Sequence, residues 1–384
     1  MNSFSRIYMP NIICGRGSIS FVKTLGRKRI AVLGYADTVR QMVGAWFADT
    51  DAEIRYIATI SQEPRIRDLY DNLPAVQEFQ PDLILAIGGG STMDVAKGLH
   101  LFYENPDLSF EDSLKPFTLP ELGKKAISVF VPTTSGTGAE TSSAAVFINE
   151  ETKVKSLLLS NTLIPHYTIL DANFTDHLPV SVQVATGLDA MAHAIESLTA
   201  RNTNPFTRAI ATQAALDILE NLPVAADRSA PEAVRLEAKD KLHMAATLAG
   251  MSITNAFTGI VHSYDHPGPA FQLPHGIVCG IMLPWSMEMV GPTDAYATIA
   301  RRLGYRGTTE ELSKALIDHI RSLMGQLGLA DTFQGAGIPE DKYFAEVPRW
   351  SEISLNALAT KLSPANMDFE KGKRFYTLCY DGPG

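Results

Sequence analysis

The sequence predicts an α/β protein in two parts: a doubly wound parallel sheet up to residue 180, followed by an all-helical region from 181 to 384. Three observations carry this. Short apolar runs alternate with helically spaced segments through the first half, the tempo of a parallel sheet built from strand–helix units. Two of those runs end abruptly in glycine and hydroxyl residues. Beyond residue 180 strand signals become scarce, and long segments repeat their apolar positions with the period of a helix.

In the first half, IICGRGS (12–18) reads as a turn. KRIAVLGYAD holds a buried strand from Ile30 to Leu33 that runs into a glycine turn. DTVRQMVGAWFAD has helical spacing, AEIRYIATI is a second strand, and DLYDNLPAVQEFQ a second helix. PDLILAIGGGS then offers a third strand, and AISVFVPTTSG a fourth, from Ala126 to Val131. VFINEETKVKSLLLS resembles a hairpin with Lys153 and Lys155 on one strand face.

The two glycine-bearing strand ends are chemically loaded. Gly88, Gly89 and Gly90 lead through Ser91 and Thr92 into a helix, so backbone N–H groups gather at an electropositive helix end where a pyrophosphate can approach. This is neither the usual GxGxxG fingerprint nor a Walker motif, and a plain tight turn explains three glycines equally well. Ser91 or Thr92 suits a helix cap; Asp94 is counted among the cofactor-binding residues, against the simpler role of a first-turn dipole partner. Thr133, Thr134 and Thr137 in the second loop suit a ribose, a nicotinamide or phosphate oxygens, or else a capping turn closed by Glu140. Two such loops on one parallel sheet favour a ligand at the strand C-termini.

The second half is read as helices over RAIATQAALDILENLPVAA, AVRLEAKDKLHMAATLAGMSI, ELSKALIDHIRSLMGQLG and WSEISLNALATKL. ATGLDAMAHAIES places Asp189 and His193 four residues apart, on one helix face. HSYDHPGPAFQLPHG supplies His262, His266 and His275, three of the chain's nine histidines. His262 and His266 repeat the four-residue spacing, which predicts one helix offering both rings, and His275 after Pro274 predicts the start of another helix. One carboxylate with several imidazoles is a donor set for a divalent metal of borderline softness, and Asp189, His193, His262 and His275 make a four-ligand site. No cysteine joins them on this reading, which disfavours a structural zinc. His266 is cast as a proton relay, against the simpler alternative of a helix-surface histidine.

Composition excludes other classes. A net charge of −9 argues against nucleic acid. No apolar run is long enough to span a bilayer, and no secretory signal is evident. Cys14, Cys279 and Cys379 are widely separated, which fits a reduced compartment and a cytoplasmic protein.

Taken together, GGGSTMDVAK, PTTSGTGAE, GLDAMAHAIES, AGMSITNA and HSYDH with the later PHG resemble the iron-containing (type III) alcohol dehydrogenase family, from GRGS to about residue 366. The resemblance implies an N-terminal dinucleotide-binding domain (1–180) and a helical metal and catalytic domain (181–384). It implies Fe²⁺, or Zn²⁺ or another divalent metal, on Asp189, His193, His262 and His275. It also implies pyrophosphate at Gly89, Gly90 and Ser91, with Thr133, Thr134 and Thr137 along the cofactor and Lys155 near its ribose. The expected reaction is reversible hydride transfer between a primary alcohol or aldehyde and NAD or NADP, in a cleft between the domains, by a homodimer or larger homo-oligomer. The related glycerol-1-phosphate dehydrogenase and dehydroquinate synthase chemistries, or a non-catalytic binding protein on the same scaffold, are the rivals. Three departures from the family pattern stand out. Tyr35 takes the place of the acid that ends the first strand, leaving Asp37 to reach a 2′-hydroxyl; Thr92 replaces a proline; and Asp265 stands where a small residue is usual, beside His266. Phe257, Tyr264 and Phe271 form either an apolar pocket wall or core.

Overall fold

The computed structural model describes residues 6–60, 63–150 and 155–382, and divides into two compact units, Met1–Leu178 and Pro179–Gly384. The first unit runs β1 (Asn11–Cys14), α1 (Phe21–Thr24), β2 (Arg29–Gly34), α2 (Asp37–Trp46), β3 (Glu53–Thr59), α3 (Ile66–Phe79), β4 (Leu83–Gly88), α4 (Gly90–Glu104), α5 (Phe110–Ser113) and β5 (Ile127–Pro132). It continues with β6 (Ala144–Ile148), β7 (Lys155–Leu159) and β8 (Tyr167–Leu170). Six strands form a parallel sheet in the order β1-β8-β5-β4-β2-β3. The antiparallel β6–β7 pair stands apart as the expected hairpin, with Ile148 opposite Lys155; Lys153 lies outside the described residues.

Why β4 is a run of apolar residues follows from its place in the sheet. Leu83, Leu85 and Ile87 face one layer of helices with Ile30, Val32, Val129 and Val131, while Ile84 and Ala86 face the other with Ala31, Leu33 and Phe130. A parallel strand covered on both sides alternates between two cores, not between core and water. From β2 the chain winds outward to β3, then crosses back to β4 and on to β5 and β8. The β2/β4 boundary is therefore the switch point, where ligands of open α/β sheets bind outside the strand C-termini. Strand β1 was not expected. Only four residues long, it is held by β8, more than 150 residues away, through pairs such as Ile13 with Ile169.

A histidine inside this unit sets a pH dependence. His166 Nδ1 accepts a hydrogen bond from the Ser128 N–H at 3.1 Å, which requires an unprotonated nitrogen. Burial, with the nearby His100 ring adding to it, pushes the His166 pKa down to about 4. A folded-state value below the unfolded value of about 6.5 means the unfolded chain binds the extra proton. Stability is thus present above pH 6.5 and lost as pH falls from 6.5 through 4. His166→Gln should flatten that slope in thermal denaturation, by on the order of 1–2 kcal/mol after allowing for solvent screening of a half-buried ring.

In the second unit every regular element among the described residues is helical. They are α6 (Val180–Thr199), α7 (Pro205–Ala226), α8 (Glu232–Ala256), α9 (Ile260–Ser263), α10 (Pro267–Phe271), α11 (His275–Val290), α12 (Asp294–Arg302) and α13 (Thr309–Gln326). The last three are α14 (Glu340–Leu355), α15 (Leu358–Leu362) and α16 (Phe369–Asp381). Helix α6 is the axis of this unit, buried along nearly its whole length against α7, α8 and α11. Its small residues Ala190, Ala192 and Ala194 leave room for those neighbours, and Gly276 of α11 sits directly on the α6 backbone at Ala185. That contact brings the first turn of α11 against the second turn of α6.

The structure corrects one expected helix. His262 lies in the short α9, which ends at Ser263, and His266 lies outside it as the residue capping α10, so the two rings do not share a helix face. Pro267 has no N–H to donate to the Ser263 carbonyl, so the helix cannot run through and restarts at Pro267 instead.

Candidate functional site

Four elements of the second unit meet around one carboxylate. Asp189, from the buried interior of α6, places Oδ1 at 3.5 Å from His193 Nε2 one turn along the same helix. The same oxygen is 3.3 Å from His262 Nε2 and 3.3 Å from His275 Nε2. The His193 and His262 rings stack with centroids 4.5 Å apart, and His262 meets His275 edge-on at 5.4 Å. The fourth element is the loop leading into α10, through Asp265. All four residues expected as ligands are thus brought together.

The cluster contains a residue that was not expected. Cys279 lies one turn after His275 on α11, with Sγ 3.6 Å from His275 Nε2 and 3.9 Å from Asp189 Oδ1. Asp189, His262, His275 and Cys279 each offer a donor atom within 4.8 Å of the other three. The reading that no cysteine joins the site is therefore overturned. The cue was present in the sequence, because His275 and Cys279 have the same four-residue spacing as Asp189 and His193.

Two buried carboxylates orient the rings from behind. Glu196 Oε2 is 2.6 Å from His262 Nδ1, while its other oxygen accepts the Val261 N–H at 2.7 Å. It stands seven residues after Asp189 on α6, the same face again. Asp265 Oδ2 is 3.1 Å from His275 Nδ1, so it is His275 that this carboxylate engages. Each carboxylate fixes which ring nitrogen is left to face Asp189. Glu196→Gln should weaken divalent-metal binding by roughly 10- to 100-fold, measured by competition with a chromogenic chelator.

The electrostatics fit a cation. Burial alone would raise Asp189, yet His193, His275 and His262 hold its carboxyl well below the usual carboxylate range. Burial opposes charge on His262, but the Cys279 sulfur, Asp189 and Glu196 outweigh it and push its pKa up to about 10. Anionic donors crowded in a buried pocket draw positive charge onto the imidazoles, and a divalent ion meets the same demand. The donor spacing agrees. A tetrahedral ion held at about 2.0–2.1 Å by nitrogen and oxygen sets those donors roughly 3.3–3.4 Å apart.

His266 is bonded within the helical unit. Its Nε2 is 3.1 Å from Ser354 Oγ, and its ring stacks 6.3 Å from Trp350. Tyr264 is fully buried against Phe375 and Tyr376, a core residue. Phe271 is half-buried beside Tyr343 and Trp350.

In the first unit the two glycine and hydroxyl loops pack face to face. The Thr133 N–H bonds the Gly88 carbonyl at 3.0 Å. A Cβ on Gly90 would stand 3.0 Å from the Thr137 methyl, and one on Gly89 would stand 3.4 Å from Thr134 Oγ1, so side chains there would close the space between the loops. Ser91 lies in the first turn of α4. Asp94, expected among the cofactor-binding residues, is instead buried and accepts the Val146 N–H at 3.0 Å, and burial raises its pKa to about 6 against the pull of Lys97. The Lys97 ammonium donates to the carbonyls of Ser142 and Ala144 at 3.0 and 2.7 Å. Tyr35 and Asp37 are exposed just past the end of β2, and Lys155 opens β7.

A doubly wound sheet with open glycine loops at its switch point, and a helical unit with a buried oxygen–nitrogen–sulfur pocket, define a nucleotide-linked metalloenzyme. The chain belongs to the iron-containing alcohol dehydrogenase family. Residues 10–172 match the family described as iron-containing alcohol dehydrogenase, and residues 183–371 the C-terminal part of the Fe-containing alcohol dehydrogenase family. The chain is 32% identical over 387 residues to an NADPH-dependent butanol dehydrogenase of Clostridium saccharobutylicum, covering 98% of each. It is 32% identical over 385 residues to an alcohol dehydrogenase of Thermococcus barophilus, covering 96% of this chain and 97% of the other. The solved iron-containing alcohol dehydrogenase of Thermococcus thioreducens superposes with a TM-score of 0.89 at 30% identity, covering 98% of this chain and 100% of that one. The protein is accordingly a metal-dependent alcohol dehydrogenase that uses a nicotinamide cofactor. No helix among the described residues is long and apolar enough to cross a membrane.

Proposed function

We propose that the enzyme interconverts a small primary alcohol and its aldehyde, with Fe²⁺ held by Asp189, His193, His262 and His275, and with NADP(H) as the preferred cofactor. The single observation that carries the reading is the convergence of the three imidazole nitrogens on Asp189 Oδ1 within 3.3–3.5 Å. A bound divalent ion supplies Lewis acidity, favouring the alkoxide of the alcohol or polarising the carbonyl of the aldehyde, while the nicotinamide carries the hydride.

The chain's own residues do the rest. Asp189 brings negative charge to the pocket, so that an ion bound there keeps a modest net charge. Glu196 and Asp265 hold the His262 and His275 rings by their Nδ1 atoms, leaving Nε2 directed at the pocket. Gly89, Gly90 and the Ser91 N–H receive the pyrophosphate at the start of α4, and Thr133, Thr134 and Thr137 line the rest of the cofactor path. Lys155 approaches the ribose region. Asp94 serves from behind, fixing β6 to α4. His266 passes the proton onward, its half-buried imidazole being bonded to the Ser354 hydroxyl. Three free cysteines fit a reducing compartment such as the cytoplasm.

The cofactor preference rests on β2. Its end at Gly34 is followed by exposed Tyr35, with no carboxylate to repel a 2′-phosphate before Asp37. The similarity to an NADPH-dependent butanol dehydrogenase points the same way, and supports a short aliphatic substrate. Anaerobic purification, metal analysis and aldehyde reduction with NADH and NADPH in parallel test the reading. The expected result is bound iron and a higher kcat/KM with NADPH on short aldehydes. Cofactor binding with no turnover across a broad aldehyde and alcohol panel would defeat it.

A further inference from the structure

We propose that Cys279 is a sulfur ligand of the metal, so that the donor set of this site is one carboxylate oxygen, imidazole nitrogens and one thiolate. The proposal rests on the metal site described above and extends it by a residue of this chain.

Distance carries the argument. Zinc-like ions hold sulfur at about 2.3 Å and nitrogen or oxygen at about 2.0–2.1 Å, so as a fifth ligand, with about 90–120° between neighbouring ligands, sulfur stands roughly 3.1–3.8 Å from its fellow donors. Cys279 Sγ is 3.6 Å from His275 Nε2 and 3.9 Å from Asp189 Oδ1, the same two atoms that stand 3.3 Å from each other. The sulfur therefore stands beside the other donors at about the distance of a further ligand. It is fully buried, and its place is set by helix geometry: His275 and Cys279 lie one turn apart on α11, whose first turn is pressed onto α6 beside Asp189. The other two cysteines are apart from the cluster. Cys14 ends β1 in the first unit, and Cys379 lies in α16 within the aromatic core.

Coordination replaces the S–H bond with a sulfur–metal bond, and the proton leaves to solvent. A thiolate softens the site. Hard oxygen-seeking ions such as Mg²⁺ lose ground to Zn²⁺, Co²⁺ and Fe²⁺ relative to a site of carboxylate and imidazoles alone.

Cobalt is the probe, because a thiolate bound to Co²⁺ gives an intense near-ultraviolet charge-transfer absorption that oxygen and nitrogen ligands do not. Metal-free full-length protein is loaded with one equivalent of Co²⁺ and its spectrum is compared with those of Cys279→Ser, Cys279→Ala and Cys14→Ser, with circular dichroism to verify the fold. The expected result is the sulfur band in the unmutated protein and in Cys14→Ser. The band is lost in both Cys279 variants, while the visible d–d absorption of bound Co²⁺ persists. Bound Co²⁺ without the sulfur band in the unmutated protein overturns the proposal and leaves the metal site standing, and so does a band that survives in Cys279→Ala. Failure of the unmutated protein to bind Co²⁺ at all overturns the metal site itself. The unmutated spectrum decides the matter even if a variant does not fold.

Discussion

Asp189→Asn should remove metal and turnover together. The side chain keeps its shape but loses the charge toward which His193, His262 and His275 all turn within 3.3–3.5 Å. Three neutral rings and an amide hold a divalent ion far less tightly than the same rings around a carboxylate, because the buried ion then lacks a countercharge. Removing a supporting partner of a ligand already costs roughly 10- to 100-fold, so the loss of this ligand should exceed 100-fold in metal affinity. Metal content after anaerobic dialysis and kcat/KM for aldehyde reduction are the measurements. A variant that keeps its metal and loses activity assigns Asp189 to the chemistry instead. One that keeps both removes it from the site.

The second large effect is structural. Gly276→Ala should disrupt the joint between α6 and α11. A Cβ at that position would lie 1.7 Å from the Ala185 carbonyl oxygen and 2.5 Å from its carbon, both backbone atoms inside a long buried helix. Neither can swing aside, so the helices must separate. Overpacking of this kind costs about 3 kcal/mol or more, since no side chain can absorb it. In a unit of this size that lowers Tm by roughly 6–12 °C. The site suffers too, because His275 adjoins Gly276 and Asp189 lies one turn after Ala185. Gly325→Ala is the matched control: it lies in α13 with nothing within 4 Å of an added Cβ, and should be neutral or slightly stabilising. Differential scanning calorimetry of the two variants, with and without metal, separates the outcomes. Equal Tm values would show that α11 can shift freely against α6.

What the sequence disclosed of this molecule follows the range of the interactions involved. The apolar run of β4 and the glycines after it are local signals, as is the spacing of Asp189 and His193, and each led to the right element. β1 was read as a turn because NIIC alone has no strand pattern long enough to see; what makes it a strand is β8, far along the chain. Asp265 was noted as unusual beside His266, yet its partner is His275, reached across the loop that carries α10. That pairing is a tertiary fact which no spacing discloses. Cys279 and Glu196 are different. Both lie at helical spacing from residues already singled out, and periodicity applied to all donor types would have found them. The proline after His266 was likewise a legible break.

If turnover depends on one divalent ion held by the Asp189 cluster, a single titration shows it. Metal-free protein is titrated anaerobically with Fe²⁺, and bound metal per chain and aldehyde-dependent oxidation of NADPH are followed on the same samples. Activity should rise in proportion to bound iron and level off at one ion per chain, with His262→Ala showing neither binding nor turnover. Full activity in the metal-free protein, or activity that does not follow occupancy, would show that turnover does not depend on this ion.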